Sequence, residues 1–216
     1  MPLALFDLDN TLLAGDSDYE WGRFLITKGL VDKDSYETEN NRFYEQYKQG
    51  TLNIYEFCAF SFQPLTQHSM EQLRALHAEF MQDVIEPMIG RRARALVDQH
   101  KQQGDTVMVI TATNSFVTEP IVRAFGIEHL LATEPEIVDN RYTGKIKGIP
   151  CFHEGKVQRL ENWLTGKQLS LQGSYFYSDS INDLPLLEKV DTPVAVDPDD
   201  KLAALARQRG WDCLSL

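Results

Sequence analysis

Cysteine is scarce in this chain and forms no pattern. Cys58, Cys151 and Cys213 are odd in number and widely scattered, which argues against a disulfide framework and against a thiolate metal site. Basic residues are outnumbered: 21 lysines and arginines face 32 aspartates and glutamates, for a net charge of −11 and an isoelectric point near 4.9. A nucleic-acid partner, which needs a basic patch, is therefore not expected. Apolar runs long enough to cross a bilayer are missing, and no basic region followed by a long apolar stretch opens the chain. We expect no membrane association and a cytoplasmic location. His68, His77, His100, His129 and His153 share no ligand spacing on one helix face, so a histidine metal site is not expected either. There is no internal repeat and no low-complexity segment.

What is present is concentrated at the ends of apolar runs. With 216 residues and 43% hydrophobic content, the chain can bury a substantial core as one large domain or as a core plus a smaller insert. Its most informative run is Ala4 to Leu12, an apolar strand that closes on Asp7 and Asp9 and then on small polar residues. Ligands of open α/β sheets bind at the carboxyl ends of strands, so this would place two carboxylates where chemistry is done, although an isolated pair of this kind is more commonly a turn with aspartates placed for solubility or capping. Val107 to Thr113 is a second such strand, ending in hydroxyls, and Tyr175 to Asp183 a third, ending in acids. Lys156 opens an amphipathic helix between them.

Periodicity organises the rest. A strand at 3–8 is followed by residues 16 to about 88 that read as helical throughout, with Asp16 or Ser17 capping the first helix and Asp34 or Ser35 the second. Gly29 and Gly50 mark stops, and further helices fall at about 53–61 and 67–85, punctuated by Pro64 and Pro87. A helix at about 91–103 restores the core. Strands near 106–111, 129–133, 174–178 and 193–196 then alternate with helices at about 115–125, 155–164 and 199–208, which implies a parallel α/β sheet with right-handed crossovers. A small hairpin at 136–144 turns at Asp139 and Asn140.

The ordered wording DLDNTLL, ITATN, GK and YSDSINDLPLLE resembles the four motifs of the haloacid dehalogenase superfamily, and within it the phosphoserine-phosphatase-like branch. The resemblance spans Asp7 to Asp183. It implies a Rossmann-like, doubly wound parallel core over 1–14 and 89–216, with a helical cap over 15–88. It also implies a phosphatase in which Asp7 attacks phosphorus to form an aspartyl-phosphate and Asp9 serves as acid and then base. A Mg²⁺ ion would be held by Asp7, the Asp9 backbone carbonyl and Asp179, with Asp183 holding a metal-bound water or orienting Lys156. Dehalogenating members lack the second aspartate, because a halide needs no proton; Asp9 thus favours phosphate esters.

Thr111 and Lys156 would bind the phosphoryl oxygens, with Asn182 adding a donor. Taken alone, Thr111 reads as a strand-end hydroxyl closing a turn and Lys156 as a solvated lysine; the acidic motifs turn both toward the site. Substrate choice should lie in the cap. Asp16 falls where phosphoserine-type relatives carry an acid for the substrate ammonium, and it reads equally well as an N-cap. Asp18, Tyr19, Glu20 and Trp21 offer anionic and aromatic partners for an amine or an imidazole, although only some can face the site and Trp21 reads as core. Phe57, Phe60 and Phe62 read as cap core, His153 as a surface residue, and Asp197, Asp199 and Asp200 as a solvated helix start. No arginine motif for a substrate carboxylate is found; Arg23, Arg42 and Arg74 are isolated. This weighs against phosphoserine and toward a small amine-bearing phosphate ester such as histidinol phosphate. A receiver-like phosphate-sensing module and a phosphomutase are the other readings, and the oligomeric state is left open.

Overall fold

The computed structural model describes residues 2–216. The chain opens with β1 (Leu3–Phe6) and then turns helical, through α1 (Ser17–Thr27), α2 (Lys33–Gln49), α3 (Ile54–Phe62), α4 (Met70–Phe80) and the short α5 (Glu86–Met88). There follow α6 (Arg91–Gln103), β2 (Thr106–Asn114), α7 (Ser115–Ala124), β3 (His129–Thr133), β4 (Pro135–Val138) and β5 (Arg141–Ile146). The last part alternates α8 (Glu154–Lys167), β6 (Tyr175–Ser178), α9 (Leu184–Leu187), β7 (Thr192–Val196), α10 (Asp200–Arg209) and β8 (Asp212–Leu214).

Six strands form one sheet in the order β3-β2-β1-β6-β7-β8, every pair parallel. β1 lies at its centre, Leu5 opposite Met108 on one side and Phe176 on the other, which suits an uninterrupted apolar run buried on both faces. The order of the strands reverses direction between β1 and β6. That is the switch point at which a doubly wound sheet opens a crevice, as expected of a Rossmann-like core.

Alternate residues of the strands supply two cores. Ala4, Phe6, Val109 and Tyr177 face one way, onto Ala93 and Val97 of α6 and Val117 and Ile121 of α7. Leu3, Leu5, Met108 and Phe176 face the other, onto Leu160 of α8, Leu186 of α9 and Leu202 of α10. The first core does not stop at the sheet: Trp21, Phe24 and Leu25 of α1, together with Phe80 and Ile85, belong to it. A third, smaller core joins Ile54, Cys58 and Phe62 of α3 to Leu73 of α4 and to Tyr142 and Ile146 of β5.

The differences from sequence expectation are local. The second helix is capped by Asp32, whose carboxylate accepts the Ser35 N–H at 3.0 Å, instead of by Asp34 or Ser35. Helix α4 does not end at 85; a π-type turn over Met81–Ile85 carries it into α5, with Pro87 tolerated in the first turn of that new segment. β1 ends two residues early and β2 runs on to Asn114. β8 was not expected: all three of its residues are exposed, so it carries no apolar signal. The hairpin of β4 and β5 does turn at Asp139 and Asn140, whose φ of 49° and 58° give the left-handed pair a tight two-residue turn needs. Among the described residues, no helix is long and apolar enough to cross a membrane.

Candidate active site

The carboxyl ends of β1 and β6 bring the acids together. Asp7 extends β1, its N–H donating to the Tyr177 carbonyl of β6 at 2.9 Å. Lys156, in the first turn of α8, is fully buried and its Nζ donates to Asp7 Oδ1 and Asp183 Oδ2, both at 2.8 Å. The Ser178 hydroxyl donates to the same Asp183 oxygen at 2.8 Å. Burial works to strip Lys156 of its proton, yet Asp183 and Asp7 more than reverse this and keep it charged. Burial likewise raises the Asp7 carboxyl, and Lys156 opposes that rise.

Among the described residues, Asp179 has no cation of its own. Its carboxylate accepts from the Thr11 hydroxyl at 3.2 Å, and its N–H donates back to that hydroxyl at 3.1 Å. Burial, with the like charges of Asp7 and Asp183, pushes it well above the usual carboxylate range. Asn10, at φ 55°, makes the turn that returns Thr11 to this position.

Asp9 is held differently. It accepts the Ser17 N–H at the start of α1 at 2.6 Å and the Thr113 hydroxyl at the end of β2 at 2.8 Å. Burial, assisted by the charge of Asp16, lifts it to about 7 against those hydrogen bonds. Asp16 does cap α1, accepting the Tyr19 N–H at 2.8 Å, and it also lines the crevice. The N-cap reading of Asp16 therefore holds. Asp18 is buried beside it and accepts from the Asn114 amide at 3.1 Å. Burial lifts Asp16 and Asp18 to about 7 as well.

A pocket opens above Asp7 and Asp9. Thr111 and Thr113 line its floor; the Thr111 hydroxyl accepts the Thr113 N–H at 3.2 Å. Tyr19, Phe43, Tyr44, Tyr47 and Phe57 line its sides, so Phe57 is a wall and not only cap core. No lysine or arginine is among the residues lining it. Glu20 and Trp21 turn away, Glu20 toward Arg23 and Trp21 into the aromatic core against Phe24 and Phe80. Arg42 pairs with Glu39 at 2.6 Å, and Arg74 lines a separate groove beside α7.

Asn182 points to the helices: its amide donates to the Tyr47 carbonyl at 3.0 Å, and its Oδ1 lies 3.3 Å from His153 Nε2. His153 stacks on Phe152 at 3.8 Å between ring centres, which makes it a neighbour of the site and not a free surface residue. Sequence reasoning missed the residues that hold the acids: Thr11, Ser17, Thr113 and Ser178. Thr113 had a signal, two residues after Thr111 at a strand end. Asp199 also does more than start α10, since it accepts the Ile181 N–H at 2.7 Å beside the acidic turn.

The donor set suits a hard cation. Asp7, Asp179 and Asp183 are buried carboxylates that share one lysine, and Asp179 is left uncompensated. The side chains do not form a closed cage: among the described residues, no group of three or more His, Cys, Asp or Glu side chains is gathered as a bound ion would require. A Mg²⁺ ion here would need a backbone carbonyl and its own waters as well, which this ion ordinarily keeps.

The profile of the haloacid dehalogenase-like hydrolases matches residues 4–188. The chain is 46% identical to a histidinol-phosphatase of Neisseria meningitidis serogroup C (strain 8013) over 99% of its own length and 98% of the relative's. Its fold matches a Bordetella pertussis Tohama I protein of unknown function with a TM-score of 0.93, 48% identity and coverage of 99% and 97%. A substrate-bound phosphoserine phosphatase shares the fold at a TM-score of 0.73 and 18% identity, with coverage of 99% and 92%. Matched by a family profile over residues 4–188, and by a relative aligned end to end, this chain belongs to the haloacid dehalogenase-like hydrolases.

Proposed function

We propose that this phosphatase hydrolyses a small phosphate monoester bearing an amine, histidinol phosphate foremost, through an aspartyl-phosphate on Asp7. The supporting observation is the contrast between two carboxylates two residues apart. Asp7 is paired with Lys156, whereas Asp9 has no cation and is pushed to about 7 by burial, held by one N–H and one hydroxyl. Two acids whose surroundings separate their roles are how one site runs nucleophilic and acid–base chemistry together.

In the first step the Asp7 carboxylate forms a bond to phosphorus and the ester P–O bond breaks. Asp9 delivers its proton to the departing alkoxide. In the second, Asp9 takes a proton from water as that water attacks phosphorus and returns Asp7 to its free carboxylate. The Thr111 hydroxyl and Lys156 bind phosphoryl oxygens, and Lys156 shields Asp7 from the incoming anion. Mg²⁺, held by Asp7, the Asp9 carbonyl and Asp179 with Asp183 behind them, would neutralise developing charge on the phosphoryl oxygens.

Residues 15–88 act as the cap that selects the substrate, over a core of 1–14 and 89–216. The pocket offers Asp16 to an ammonium group and aromatic walls to a ring, and it offers nothing cationic to a carboxylate. This favours histidinol phosphate over phosphoserine, in agreement with the name of the Neisseria relative. We further propose a cytoplasmic enzyme whose partner is its small-molecule substrate, with no nucleic acid and no membrane involved.

The test is Mg²⁺-dependent phosphate release from histidinol phosphate, phosphoserine, sugar phosphates and a lipid phosphate, with Asp7→Asn as control. A kcat/KM preference for histidinol phosphate that vanishes in the control supports the reading. A preference for phosphoserine overturns the substrate, and release that persists in the control overturns the nucleophile. Absence of turnover on every compound would favour the phosphate-sensing alternative.

A further inference from the structure

The pocket holds one acid that the chemistry above does not use. Asp18 is 6% exposed, lines the pocket, and has one carboxylate oxygen bound to Asn114. Its other oxygen has no hydrogen-bond partner among the described residues. Its charge reaches the buried Tyr36 and Cys58 on the helical side. That second oxygen is not shut away from the cavity Asp18 lines, so a ligand's donor can take the place of water there.

The surroundings define that donor. Tyr19 and Tyr44 lie with ring centres 4.8 Å apart, and Phe43 and Phe57 5.5 Å apart, so the walls of the pocket present ring surfaces. A flat ring would meet ring surfaces along these walls, and only its edge can carry an N–H toward Asp18. Asp16 remains for the amine, having given only one oxygen to its helix cap.

We propose that Asp18 is a specificity-determining residue that accepts a ring N–H from the substrate, so that the preferred ester carries a nitrogen heterocycle in addition to its amine. This rests on the phosphatase reading given above and deepens it. It assigns the two pocket acids separate partners: Asp16 the ammonium, Asp18 the ring.

The experiment compares kcat/KM on histidinol phosphate and on O-phosphoethanolamine, an amine-bearing phosphate without a ring, using the full-length enzyme with Mg²⁺. In Asp18→Asn the side chain keeps an oxygen for Asn114 and loses the charge that strengthens the bond to the ring. Histidinol phosphate should lose about 10- to 100-fold, the worth of a charged hydrogen bond, while O-phosphoethanolamine changes by less than about threefold. Asn114→Ser, which keeps the α7 cap but not the contact with Asp18, should leave the preference standing. Equal losses on both substrates, or a melt showing that Asp18→Asn no longer folds, assign Asp18 to the scaffold and overturn the proposal. A wild-type preference that Asp18→Asn leaves intact overturns it alone. A wild-type enzyme with no preference for histidinol phosphate overturns this inference together with the substrate reading.

Discussion

On the sheet side of the crevice, Lys156 sits within 2.8 Å of Asp7 and Asp183, the Ser178 hydroxyl donates to Asp183 as well, and the hydroxyls of Thr11 and Thr113 hold Asp179 and Asp9. On the helical side, Asp16 and Asp18 face aromatic rings, with no lysine or arginine lining the pocket. The first half is electrostatically wired for one anion. The second is an apolar container with two acceptors, which a cationic or N–H-bearing group completes. On the function proposed above, reaction type and substrate choice are carried by different parts of the chain, so each should be alterable without the other.

The sharpest way to break the division is at Asp7. Asp7→Asn should lower kcat on the order of 10⁵-fold, the scale of losing a nucleophile, with the melting temperature kept or raised. Turnover within tenfold of wild type would remove the sheet side from the chemistry. Asp9→Asn should follow, with kcat about 10²- to 10⁴-fold lower and KM little changed. If KM moves instead, Asp9 belongs to the selecting half.

Lys156→Met tests the wiring itself. It leaves Asp7 and Asp183 buried without their cation and should cost about 3–5 kcal/mol of folding stability in denaturant titration. A pH test then probes the container. Burial raises Asp9, Asp16 and Asp18 from 3.8 to about 7, so the folded chain keeps protons that the unfolded chain releases between those values. Their stabilising contribution is present at low pH and lost as pH rises through about 7. In metal-free buffer the melting temperature should therefore climb from about pH 8 to about pH 6, and Asp18→Asn should shrink the climb. A melting temperature that falls over this interval would contradict it. The smallest effect is expected from Asn182→Ala, which removes one bond between the acidic turn and α2. It should cost on the order of 1 kcal/mol and alter KM on the natural substrate more than kcat.

The sheet half was legible because its signals are continuous in sequence. An apolar run ending in Asp7 and Asp9 reads as a strand that delivers its acids to a crevice once the runs ending at Thr111 and Asp179 repeat the pattern. The helical half was legible only as helices. Whether Asp18 or Glu20 faces the pocket depends on the rotation of α1, which is set by where Trp21, Phe24 and Leu25 bury, and they bury against Phe80 and the sheet core far along the chain. Two of the hydroxyls that grip the acids join positions more than a hundred residues apart, Thr113 to Asp9 and Thr11 to Asp179, and no local period announces such pairs. β8 pairs through its backbone alone, so its exposed side chains carry no pattern to read.

The aromatic wall has one panel that is fastened differently from the rest. Helices α1 and α3 are seated in apolar cores. α2 buries Tyr36, Asn40 and Phe43, packs Tyr36 and Phe43 on Phe60 and Tyr44 on Tyr19, and adds a set of polar ties: Asn40 to the Tyr19 carbonyl, Tyr19 to Asn41, Asn182 to the Tyr47 carbonyl and Lys201 to the Gln49 carbonyl. Phe43, Tyr44 and Tyr47 of that panel line the pocket and α2 carries none of the crevice acids, so this wall can be varied without touching them.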